Sequence, residues 1–158
     1  MKRVIYLSCF LGACNMPASD SNALTPDSAR YDYQIVGGKQ GALVEQLQID
    51  CTAKQAILSR ETQEKTAVYR HVAAVSAEQC TTLASLAAPL CMEAEADKQQ
   101  SDVFDAAGYT LTCSSGDLPA VSFNWQGTLR AAPDGLRPWH DYTRSLIGSA
   151  FPGVNTYP

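Results

Sequence analysis

Ser76-Ala77-Glu78-Gln79-Cys80-Thr81-Thr82-Leu83-Ala84-Ser85-Leu86-Ala87-Ala88-Pro89-Leu90-Cys91-Met92 is the stretch whose reading decides the fold. Ser76 and Gln79 have the spacing of a capping box, in which the hydroxyl accepts from the first helical turn and the amide reaches back. Cys80, Leu83, Ala84, Ala87, Leu90 and Cys91 then recur at helical spacing on one stripe. In an unbroken helix Cys80 and Cys91 stand about 16 Å apart along the axis, whereas a disulfide needs Cα atoms within about 7 Å. The two cysteines are therefore expected to pair separately, with Cys51 and Cys113 on strands. Pro89 is the weak point of the argument, because a break there folds Cys91 back towards Cys80.

On both sides of this helix the periodicity falls to two. Tyr31-Asp32-Tyr33-Gln34-Ile35 alternates and stops at Gly37-Gly38, and Leu47, Ile49 and Cys51 alternate with Gln48 and Asp50. Residues 53–65 fit a helix or an extended hairpin arm equally well. Ala67 to Val75 leans to strand through its β-branched residues. Beyond the helix, Gln99 to Gly108 is a polar connection. Tyr109, Leu111 and Cys113 alternate, as do Val121, Phe123 and Trp125, with Ser115-Gly116-Asp117 as the turn between them. Gly127 interrupts, and residues 128–131 are expected to continue the strand past a bulge. Pro133-Asp134-Gly135 is a turn signal, and from Pro138 a second helix places Trp139, Tyr142, Leu146, Ile147 and Ala150 on one face. The expectation is an α+β fold: a small antiparallel sheet with one central and one C-terminal helix, braced by disulfides.

The first residues carry a different kind of information. Met1-Lys2-Arg3 is a positive start, Val4 to Ala13 is mostly apolar, and Leu11-Gly12-Ala13-Cys14 closes the run. This is the pattern of an export signal, and ten apolar residues are too few for a spanning helix, which needs about 20. Leu11-Gly12-Ala13-Cys14 also resembles the lipobox of bacterial lipoproteins. That resemblance implies diacylglycerol on the Cys14 thiol, cleavage before Cys14 and acylation, with palmitate or a similar chain, of the new amine. With Asn15 following the cysteine, it further implies delivery to the outer membrane, on the periplasmic face. Cys9 fits the pattern less well, since Tyr6 stands where a branched aliphatic residue belongs. The expected organisation is a signal peptide at 1–13, a lipidated Cys14 and flexible tether at 14–30, one globular domain at 31–151 and a loose tail at 152–158.

The chain has 158 residues and a net charge of −4; losing residues 1–13, with Lys2 and Arg3, leaves 145 residues and −6. Between Ser76 and Ala120, Glu78, Glu93, Glu95, Asp97, Asp102, Asp105 and Asp117 face only Lys98. This balance argues against nucleic acid and against docking on anionic headgroups. It suits a basic protein partner, for which Glu93, Glu95, Asp97, Asp102 and Asp105 are the candidate contacts, beside the plainer role of a solvated helix face. Cys51, Cys80, Cys91 and Cys113 are an even set in an exported chain and so read as two disulfides. The close cysteine pairs and the histidine pair of a zinc site are missing.

Catalytic patterns are sparse. Trp139-His140-Asp141 with Ser145 nearby is the densest, but consecutive helical residues point about 100° apart and do not face one another. Neither a Gly-x-Ser-x-Gly elbow nor a phosphate-binding loop is present, and Val36 to Gly41 reads as a hairpin turn. Trp125 and Trp139 read as core anchors, His140 as a rim residue, and His71 as surface or satisfied core. We therefore expect a non-enzymatic binding protein without metal or cofactor. It would be an inhibitor or immunity protein against a periplasmic enzyme, resembling small bacterial lipoproteins of that kind in general build but carrying none of their motifs. A structural accessory of a secretion or outer-membrane assembly complex is the alternative, and an envelope hydrolase the remote third.

Overall fold

The computed structural model describes residues 24–37, 43–61, 68–92, 99–100 and 107–154. Its strands are β1 (Ala29–Gly37), β2 (Leu43–Asp50), β3 (Gln55–Glu61), β4 (Val68–Ala74), β5 (Gln99–Gln100), β6 (Gly108–Ser115) and β7 (Val121–Gln126). Helix α1 spans Ala77–Met92 and α2 spans Leu136–Ala150. The strands form one sheet in the order β4-β3-β2-β1-β6-β7-β5. All neighbours are antiparallel except the two-residue β5, which runs parallel to β7. The fold is α+β, with both helices on one side of the sheet.

Strand alternation sets the layers. Tyr31 and Tyr33 of β1, Leu47 and Ile49 of β2, Ala56 and Leu58 of β3, Leu111 and Cys113 of β6, and Phe123 and Trp125 of β7 are buried on the helix side. The stripe read from α1 faces them in full: Cys80, Leu83, Ala84, Ala87, Leu90 and Cys91 are all buried. Helix α2 adds Leu136, Trp139, Thr143, Leu146 and Ile147. The Trp139 ring lies 5.2 Å from that of Tyr31 and 6.0 Å, edge-on, from that of Tyr33. Each is an offset geometry that aromatic quadrupoles favour.

The capping box forms reciprocally. The Gln79 amide N–H donates to Ser76 Oγ at 3.1 Å, and the Ser76 N–H donates to Gln79 Oε1 at 2.7 Å. Pro89 does not break α1. It costs one backbone hydrogen bond in the last turn, where Leu90 in the core and the Cys91 disulfide hold the chain in place. The cysteines pair helix to sheet, Cys51 with Cys80 and Cys91 with Cys113, so each end of α1 is stapled to the layer beneath it.

Of residues 53–65, left open between helix and hairpin arm, 53–54 turn and Gln55–Glu61 form β3, and the strand reading of 67–75 holds over Val68–Ala74. Elsewhere the structure departs from the sequence expectations. Cys51 lies not on β2 but in the turn after it, where the Ala53 amide donates to Asp50 Oδ1 and Lys54 takes a positive φ. Residues 24–30, assigned to the tether, instead open the domain. Leu24 packs on the core, a 3-10 turn spans Pro26–Ser28, and Ala29 starts β1 fully buried. Leu129–Ala131 forms a 3-10 turn and not a continuing strand. Helix α2 begins two residues before Pro138, which sits in the first turn where an amide N–H has no intrahelical acceptor to lose. Val154, assigned to the tail, packs against the core.

Candidate functional site

Two features lie outside the ordinary core. The first is a polar cluster at one end of the helix-covered face. Glu45 shares parity with Leu47 and Ile49, so the pleat of β2 aims its carboxylate inward, where it is 4 % exposed. Arg60 Nε donates to Glu45 Oε2 at 2.6 Å from β3, and Arg144 Nη1 of α2 donates to Oε1. A buried carboxylate held by two guanidiniums meets the requirement that a buried charge be paired. It also ties α2 to the end of β2 and β3 away from the disulfides. One turn earlier on α2, His140 Nδ1 lies 2.9 Å from the Tyr33 hydroxyl, and the Tyr109 ring meets the imidazole edge-on at 5.8 Å. Burial and the Arg144 charge both lower the pKa of His140, outweighing Asp141 and Glu45. Burial raises the Tyr33 hydroxyl far above its ordinary range. A neutral imidazole and a neutral phenol therefore share this hydrogen bond.

The second feature is the opposite face of the sheet, over which no described element lies. Register places Asp32, Gln48, Ile57 and Val72 in one row with Thr112 and Ser122. The next row holds Gln34, Gln46, Ser59 and Arg70 with Thr110 and Asn124. Asp32 sits near the centre and accepts from Gln46 Nε2 at 2.9 and 2.8 Å and from Gln48 Nε2 at 3.2 Å. Thr112 and Ser122 share a hydrogen bond, and Thr110 donates to Asn124. Arg30 and Asp50, directly opposed in the row on the other side of Asp32, pair 3.0 Å apart. Across this face the six antiparallel strands span about 24 Å from first axis to last, five spacings of ~4.8 Å. Its amides and hydroxyls already bond to one another, so they are oriented before any ligand arrives.

The residues singled out from sequence fall unevenly. Cys14, Glu93, Glu95, Asp97, Asp102 and Asp105 lie outside the described residues. Asp141 is exposed and lies 3.9 Å from Arg137, Ser145 is exposed, and His140 is turned to Tyr33. Trp139-His140-Asp141 and Ser145 thus do not converge. His71 is exposed, while Trp125 and Trp139 are buried. Among the described residues no group of three His, Cys, Asp or Glu side chains converges as metal ligands. No described helix is long and apolar enough to cross a membrane. Sequence reasoning missed Glu45, although a charge in phase with Leu47 and Ile49 was the available signal. Its two arginines come from 15 and 99 positions away, and no local pattern announces them. Comparison with known proteins finds no matching family model and no matching curated sequence.

Proposed function

We propose that this chain is an exported, lipid-anchored binding protein, held to the periplasmic face of the outer membrane through Cys14 and engaging a basic protein partner. An inhibitor or immunity protein against a periplasmic enzyme is the form that fits best. The observation that carries the reading is the open sheet face: a broad, preordered array of amides and hydroxyls around Asp32, which no described element covers while both helices pack on the other side. Preordered groups lose little freedom on binding, which is where flexible surfaces forfeit affinity. The two disulfides suit an oxidising compartment. The net charge of −6 beyond the lipobox cysteine favours a positively charged partner, with faster association at low salt.

The test is capture from envelope extract on the full chain and on Thr112→Arg, which plants a long cation in the middle of the face. The expected result is a basic hydrolase recovered at low salt, reduced at high salt and lost on the variant. Salt-independent capture, or capture unaffected by Thr112→Arg, speaks against this reading. A stable multi-protein envelope assembly instead would make the chain a scaffold component.

A further inference from the structure

The two edges of the sheet are built differently. On one side the sheet ends in β5, two residues long, and very short edge strands are a common way of blunting an edge. On the other side it ends in β4, seven residues in unbroken register with β3 and therefore free of bulges. Strand β4 contains no proline and no lysine, and no described element pairs with its outer edge. Of the four large apolar side chains most exposed in the described residues, two are Tyr69 and Val72, each 56 % exposed and on opposite faces of this strand. A row of unpaired N–H and C=O groups flanked by exposed apolar side chains is a template for another strand.

We propose that two copies of this chain pair antiparallel through β4, across a two-fold axis at His71, so that one sheet continues into the next. The register follows from symmetry. A two-fold axis normal to an antiparallel pair requires one residue to face its own copy, and only His71 in that position uses all seven residues. Arg70 then faces Val72 of the other copy and not a second Arg70, which keeps the like charges apart. Tyr69 faces the small Ala73, leaving room for the ring, and Val68 faces Ala74. Directly opposed Cα atoms in such a pair are about 4.5 or 5.5 Å apart, within the range a disulfide spans. This pairing is independent of the partner-binding reading.

Cysteine crosslinking of the full chain tests it. His71→Cys alone is expected to give a covalent dimer joined at position 71. Arg70→Cys and Val72→Cys are each expected to remain uncrosslinked alone and to form a mixed dimer when combined. Peptide mapping without reduction confirms that the native Cys51–Cys80 and Cys91–Cys113 links persist in each variant. The unsubstituted chain is expected to sediment as a concentration-dependent monomer–dimer mixture. A monomer at every concentration overturns the proposal. So does failure of His71→Cys to crosslink, or Arg70→Cys alone crosslinking as readily.

Discussion

At the scale of single residues, Glu45 and His140 do the most unusual work in this core. Glu45 occupies a position where the strand pattern asks for an aliphatic side chain, and it is tolerated because Arg60 and Arg144 both reach it. Glu45→Gln keeps the shape and removes the charge, leaving two guanidiniums that are only 13 % and 20 % exposed without their shared counter-ion. The expected loss is about 3–5 kcal/mol, the cost of breaking a buried ion pair, read as a lower urea midpoint. His140 carries a pH dependence. Its pKa in the folded chain lies below the ordinary 6.5, first because it is buried and next because Arg144 is close. Below pH 6.5 the unfolded chain takes up a proton that the folded chain refuses, so stability falls as the pH drops from there to the folded value. Above 6.5 this contribution is complete and flat. His140→Gln retains a hydrogen-bonding partner for the Tyr33 hydroxyl, as donor or acceptor, and does not titrate. Urea midpoints measured from neutral to mildly acidic pH should therefore slope less in the variant.

Among the elements, α1 is the one most dependent on covalent support. Its apolar stripe is made largely of alanine and cysteine, with Leu83 and Leu90 as its large buried side chains among the described residues. The disulfides compensate by pinning its first and last turns, to the β2–β3 turn and to β6. Replacing Cys51 and Cys80 together by serine, or Cys91 and Cys113 together, is expected to cost about 2–5 kcal/mol for each pair, measured by chemical denaturation. A loss near zero for either pair would show that α1 docks on its own contacts. This was the most legible element in the sequence, since the capping box, the stripe and the helix-to-sheet pairing were all local arguments from spacing. The strands β3 and β4 were less legible. Residues 55–61 alternate only weakly, with Ile57 on the open face and Arg60 on the covered one, so neither period stands out. Their strand state comes from hydrogen-bonding to β2, which is a long-range decision.

For the whole molecule, the division is between what alternation specifies and what packing chooses. Composition and the spacing of apolar residues determined the class: strands about a central helix, a second helix after Pro133-Asp134-Gly135, and two disulfides. These are properties of neighbouring residues, and the 3.6- and two-residue periods report them directly. Which face of the sheet the helices cover, which residues reach Glu45, and which strand is left at the edge were decided only when distant segments met. Tyr33 and His140 are 107 positions apart, and Glu45 and Arg144 are 99 apart. No local period encodes such pairs, because side chains so distant in the chain become neighbours only through the order in which strands line up. The uncovered face and the open edge of β4 belong to that same level. Each is defined by what the described residues do not lay against it, and single segments carry no record of such neighbours.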